Sequence, residues 1–172
     1  ALARAASNEL ARLAASPLPG GLYLVATPIG HLSDITLRAL HVLQQADVVY
    51  CEDTRHSARL LQHYAIAAET RAFHEHNEDG EGVRVLKLLE AGKRIALISD
   101  AGMPLVSDPG FKLVRACAES GIAVTCVPGA TAGLSALSLS GLPTDQFFFA
   151  GFLPSKQAAR RTRLADLKAV PG

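Results

Sequence analysis

Short apolar runs alternate with amphipathic stretches along most of the chain. Residues 21–26 (GLYLVA), 48–51 (VVYC), 94–98 (RIALI) and 122–127 (IAVTCV) are apolar at successive positions. Strands buried on both faces of a parallel sheet read this way. Residues 70–73 (TRAF) are a weaker fifth example. Between these runs the apolar positions take helical spacing. Leu37, Leu40 and Leu43 recur toward Ala46, and Ser33 or Asp34 is expected to cap their helix. A short helix is expected over 57–64. Val83, Leu86 and Leu89 give the next helix its inward stripe, and Gly92 stands where a left-handed C-terminal cap belongs. Residues 111–119 form another helix, ended by Gly121, and a small-residue helix is expected to run on to Leu139.

Strand–helix alternation predicts an α/β fold: a five-stranded, mostly parallel sheet with helices on both faces. Residues 1–20 read as an N-terminal extension whose alanine-rich start is helical. Residues 21–142 read as one α/β domain. Residues 143–172 read as a linker and the truncated start of a second domain. There, residues 147–153 (FFFAGFL) are expected to be a strand and hold four of the six phenylalanines.

Composition narrows the function classes. At 172 residues and 49% hydrophobic, the chain holds enough apolar material for a real core. Net charge is only +1, so the whole chain is not a polycationic binder, but residues 156–168 alone carry +4 and the remainder −3. A basic end on a mildly acidic body suits a polyanionic partner, and equally suits a solvated helix face. Three cysteines without a CxxC indicate neither a disulfide framework nor a zinc knuckle. No apolar run approaches the length of a membrane span, so no membrane association is expected. Residues 1–16 lack the apolar centre of a secretory signal, and a cytoplasmic location is expected.

The sequence contains no GxGxxG, no GxxxxGK[ST] and no GxSxG. Dinucleotide-fingerprint, P-loop and α/β-hydrolase readings therefore lose support. His74 and His76 would share a face of an extended segment, yet no third or fourth ligand has suitable spacing, and no metal is expected. Glu52, Asp53, Thr54 and Arg55 end a buried strand. They suit either an acid–base or substrate-orienting pair, or a helix cap with a neighbouring ion pair. Cys51 beside them has no evident base partner. Three Gly/Pro loops follow three strands, around residues 28–30, 101–104 and 128–131. Small residues let a ligand approach the backbone, so these loops together imply a pocket for a neutral or zwitterionic molecule.

Five motifs then coincide in order and spacing: TPIGHLSDIT (27–36), CEDTR (51–55), DAGMPLVSDPG (100–110), VPGATA (127–132) and GFLP (151–154). They resemble the bacterial 16S ribosomal RNA cytidine 2′-O-methyltransferases, a branch of the tetrapyrrole (corrin/porphyrin) methylase superfamily. The resemblance spans about residues 21–168. It implies an S-adenosyl-L-methionine-dependent enzyme of two α/β domains that methylates a ribose 2′-hydroxyl of 16S rRNA in the 30S subunit, and it implies the homodimer the superfamily commonly forms. By this analogy Pro28, Ile29 and Gly30, then Asp100, Ala101, Gly102, Met103 and Val106, then Thr131 and Ala132 contact the cofactor. Asp53 is the candidate general base, with Arg55 positioning a phosphate or the base itself. Lys156, Arg160, Arg161 and Arg163 supply salt-sensitive RNA affinity. His31 and Met103 depart from the family pattern, which has Asn and Thr there. The second domain is largely missing, so the chain alone is expected to fold but to act weakly or not at all. The rival expectations are C-methylation of a tetrapyrrole and a non-catalytic nucleotide-binding fragment.

Overall fold

Successive residues of a strand point to opposite sides of its sheet, and here both sides are apolar. In the computed structural model, which describes residues 1–171, the strands are β1 (Gly21–Val25), β2 (Val48–Cys51), β3 (Thr70–Ala72), β4 (Arg94–Ile98) and β5 (Val124–Val127). They form one parallel sheet in the order β3-β2-β4-β1-β5. Tyr23, Val25, Val49, Cys51, Ala96 and Ile98 face one side. There they pack on Ala39, Val42 and Leu43 of α2 (Leu37–Gln45) and Leu61 of α3 (Thr54–His63). Leu22, Val48, Tyr50, Ile95 and Leu97 face the other. They meet Val85 and Leu89 of α4 (Glu78–Glu90) and Leu113 and Cys117 of α5 (Phe111–Glu119). The molecule thus has two cores separated by one sheet.

The topology explains which helix goes where. From β1 to β2 and from β2 to β3 the chain moves toward one edge, and α2 and α3 cover the first face. From β3 to β4 and from β4 to β5 it returns, and α4 and α5 cover the second. A single handedness of crossover gives this segregation. Adjacent strands β4 and β1, and β4 and β2, therefore send their following loops to opposite faces, and such junctions open crevices at the carboxyl ends of strands. At the amino ends, Asp47 latches β2 to β4. It accepts from the Arg94 amide at 2.8 Å and from its guanidinium at 2.9 and 3.0 Å.

Several local expectations are corrected. Thr36 caps α2, its hydroxyl accepting from the Ala39 amide at 3.0 Å, whereas Ser33 and Asp34 lie in a 3-10 turn, Leu32–Asp34. The buried face of α2 is Ala39, His41, Val42 and Leu43 rather than a three-residue repeat of leucines, because the helix turns every 3.6 residues. In α4, Val85 and Leu89 point inward and Val83 is exposed. α3 begins at Thr54, three residues earlier than its apolar pattern suggests, because Asp53 caps it. Gly92 and Gly121 do take left-handed φ values just past α4 and α5. The N-terminal helix α1 (Leu2–Ala14) buries none of its own residues. No helix among the described residues is long and apolar enough to cross a membrane.

The chain divides into two units, Ala1–Thr131 and Ala132–Gly172. Among its described residues, the second contains α6 (Ala132–Leu139) and α7 (Gln157–Leu167). Residues 147–153 form no strand. Their composition favours one, but β-propensity expresses packing on neighbouring strands, and this segment has none beside it. Phe147, Phe148, Phe149 and Phe152 stand exposed.

Candidate functional site

The loops after β1, β4 and β5 meet at the carboxyl rim of the sheet. Thr27 and Gly102 bridge the first two: the Thr27 amide donates to the Gly102 carbonyl at 2.9 Å, and the Gly102 amide returns a bond to the Thr27 carbonyl at 3.1 Å. The Thr27 hydroxyl also donates to the Ser99 carbonyl at 3.0 Å. Gly102 has φ +85°, and a Cβ there would lie 3.4 Å from both the Ala130 carbonyl oxygen and Ile29 Cγ2. Gly129 sits so close to the end of β1 that its Cβ would come within 2.9 Å of the Ala26 Cβ. Glycine at these two positions lets three backbones share one small volume.

Beside this junction is a recess of about 380 Å³, within the range of small-molecule sites. One wall is loop: Pro28, Ile29, Gly30, Asp100 and Ala101. The opposite wall belongs to α3, through His56, Ser57, Arg59 and Leu60. Ser57 is 2% exposed, and its hydroxyl is enclosed without a hydrogen-bond partner. The Cys51 thiol beside it is pushed up by burial, with the Ser57 hydroxyl pulling the other way, but the pair does not reach hydrogen-bonding geometry.

Of the residues expected at a cofactor site, Pro28, Ile29, Gly30, Asp100 and Ala101 line the recess, and Gly102 is bonded through its backbone to Thr27 of the lining. Met103 is half-buried and Val106 exposed, both outside the lining. Thr131 follows Ala130 at the Gly102 contact, while Ala132 opens α6 in the second unit. Lys156 precedes α7, and Arg160, Arg161 and Arg163 lie exposed along it.

The Asp53 carboxylate is occupied with its own helix. It accepts from the Arg55 amide at 2.8 Å, with the Arg55 guanidinium at 3.5 Å. These hydrogen bonds hold its carboxyl below the usual carboxylate range. The Asp53 amide donates to Asp100 Oδ1 at 3.2 Å, tying the β2 loop to the β4 loop. Glu52 shifts oppositely: burial, then the carboxylates of Asp100, Asp108 and Glu75, raise it. Among the described residues no three histidine, cysteine or carboxylate side chains gather as a metal site would require. The rings of His74 and His76 are 5.9 Å apart, edge to face.

The α3 wall is what sequence reasoning missed. With the helix taken to start at Ser57, His56 falls in the preceding loop. Recognising Asp53 as the cap would have moved the start to Thr54 and put 56, 57 and 60 on one side of the helix.

Known proteins resemble the chain over this same region. The family model described as Tetrapyrrole (Corrin/Porphyrin) Methylases matches residues 21–171. A relative from Mesorhizobium japonicum named ribosomal RNA small subunit methyltransferase I is 57% identical over 157 residues, which is 91% of this chain and 53% of that protein. One of the same name from Pseudomonas aeruginosa is 55% identical over 152 residues, 88% of this chain and 54% of that protein. The chain thus spans about half the length of the curated relatives it matches. Among solved structures, a uroporphyrin-III-C-methyltransferase from Thermus thermophilus superposes with TM-score 0.56 at 30% identity, covering 72% of this chain and 54% of that one. A structure of uroporphyrin-III C-methyltransferase from the same organism, complexed with S-adenyl homocysteine, superposes with TM-score 0.51 at 28% identity, over 78% of this chain and 57% of that one. With the family model covering the whole sheet, its rim loops and the segment beyond, the chain belongs to the tetrapyrrole (corrin/porphyrin) methylase family.

Proposed function

We propose that this chain supplies the rim-loop half of an S-adenosyl-L-methionine-dependent methyltransferase that modifies a ribose 2′-hydroxyl of small-subunit (16S) ribosomal RNA. The carrying observation is the 50–57% identity to proteins named ribosomal RNA small subunit methyltransferase I. The neighbour solved with S-adenyl homocysteine supports the choice of methyl donor. A ribosomal substrate places the action in the cytoplasm.

The residues present suit that cofactor. The loop wall offers backbone and small side chains around Gly30, with the Asp100 carboxylate as its charged group, which matches a ligand bearing a positive sulfonium. When bound, the cofactor supplies an electrophilic methyl group. The chain's own task is orientation. Residues 28–30 and 100–102 would hold one reactant on loops cross-bridged by the Thr27–Gly102 backbone pair, and fixing two reactants in line can supply much of a barrier reduction. Discrimination for RNA over DNA comes from the 2′-hydroxyl. The cations of α7 add affinity for phosphates that falls with salt.

The test is methyl transfer from tritiated donor by the complete two-domain protein, offered 30S subunits or a porphyrinogen. Label in the rRNA ribose is the expected outcome. Label in the macrocycle would replace the RNA reading with tetrapyrrole C-methylation. Donor binding without transfer to either would leave a nucleotide-binding module.

A further inference from the structure

The recess has two chemically different walls, and the proposed function uses only one. The loop wall is backbone and carboxylate. The α3 wall presents two exposed side chains, the Arg59 guanidinium and the His56 imidazole, in a lining that also includes the apolar Ile29, Leu60 and Ile98. Arg59 forms no ion pair or side-chain hydrogen bond among the described residues. Its neighbour Arg55, by contrast, is committed to Asp53 at 3.5 Å. A free guanidinium at the lip of an apolar recess is a phosphate-recognition arrangement, because arginine matches phosphate oxygens with paired donors.

Charge decides which ligand the wall serves. S-adenosylmethionine carries a net positive charge, so a cationic lip repels it. An RNA nucleotide carries a negative phosphate and an uncharged sugar and base. Asp100 also lines the recess and would repel a phosphate, but it is half-buried and engaged by the Asp53 amide, whereas Arg59 and His56 are exposed. The phosphate therefore belongs at the lip and the sugar inside.

Resting on the proposed rRNA substrate, we infer that the α3 wall receives the acceptor nucleotide, with Arg59 binding the phosphate flanking the reactive ribose and His56 beside it. α3 thereby faces the acceptor toward the loop wall, and α7 remains a sequence-independent contact elsewhere on the RNA.

The experiment compares wild type, Arg59→Gln and Arg59→Lys in the complete two-domain protein. It measures methyl transfer to 30S subunits at several salt concentrations and S-adenosylmethionine affinity by calorimetry. Arg59→Gln should raise KM for 30S subunits about 10-fold to 100-fold, the scale of one charged hydrogen bond. It should also reduce the slope of log affinity against log salt by about one. Arg59→Lys should restore the slope but only part of KM, and cofactor affinity should stay at the wild-type value in both. An unchanged KM and slope for Arg59→Gln in an active enzyme would overturn the assignment while leaving the proposed function intact. Loss of cofactor affinity would give the α3 wall to the methyl donor and overturn it too. A wild type that transfers no label to 30S subunits would overturn both proposals together.

Discussion

Thr27 and Gly102 exchange backbone hydrogen bonds in both directions, at 2.9 and 3.1 Å, although they lie in loops that leave different strands. This pair fixes the distance between the β1 and β4 loops, and the third loop rests against the same glycine. An alanine at 102 would need a left-handed backbone with its methyl group against Ala130 and Ile29. Gly102→Ala should therefore destabilise the chain by at least about 1–2 kcal/mol. Urea denaturation of the chain measures this. A midpoint equal to wild type would show that the loops accommodate the methyl group.

Asp47 should make stability pH-dependent in a defined direction. Its hydrogen bonds to Arg94, with lesser help from Lys93, hold its carboxyl well below the usual range. A lowered native pKa contributes stability that is fully present above the unfolded-state value of about 3.9 and is lost as pH falls toward the native value. The Arg94 side chain is one-third exposed, so the pair contributes about 1–2 kcal/mol after allowing for solvent screening. Asp47→Asn should be weaker than wild type by about that amount at pH 7, and the gap should be narrower at pH 3, closing fully only below the native value. Paired urea titrations at the two pH values check the sign. A gap that widened in acid would contradict it.

Asp53 separates a cap from a base. Asparagine caps a helix as well as aspartate but cannot accept the ribose proton. If Asp53 serves only α3, Asp53→Asn should keep methyl transfer in the complete protein within about threefold of wild type, whereas loss of a general base costs about 10²–10⁴-fold. The capping geometry and the lowered pKa of Asp53 favour the small effect.

The two cores should respond independently. Ile95 and Ile98 sit on the same strand but face opposite sides, at 0% and 2% exposure, and share no core cluster. Ile95→Val and Ile98→Val should each cost about 0.5–1.5 kcal/mol. The double variant should equal their sum within about 0.5 kcal/mol. A larger coupling term would mean the sheet transmits strain between its faces.

Ser57 should cost the fold stability. An enclosed hydroxyl without a partner is unfavourable, so Ser57→Ala should leave the thermal midpoint unchanged or raise it. A loss of unfolding free energy of more than about 1 kcal/mol, read as a lowered midpoint, would mean that the hydroxyl–thiol neighbourhood with Cys51 is a real bond.

The architecture was legible because its signals are local and repeated. The four clear strands are apolar at nearly every position, Arg94 and Thr125 being the polar exceptions, and the start of α5 and the turns at Gly92 and Gly121 follow from residue type. Residues 28–30, 101–104 and 128–131 announced themselves through glycine and proline, and they converge. What escaped depended on longer reach. The α3 wall was hidden because residues 52–55 suit an acid–base pair as well as a helix cap, and only the cap starts the helix at Thr54. Thr36 was passed over as a cap because Ser33 and Asp34 precede it with equally suitable oxygens. Residues 147–153 carry strand composition, but composition cannot supply the neighbouring strand a ladder requires.

Because Leu22, Tyr23, Leu24 and Val25 alternate between the two cores, the sheet carries a reading phase as strict as a codon's. A residue added to a connection between strands leaves that phase unchanged. The same addition inside β4, which β1 and β2 both flank, would throw Ile95 through Ile98 out of step and invert both interiors at once. Length variation in this chain is therefore confined to its connections, and the strands tolerate exchange of side chains but not a change of count.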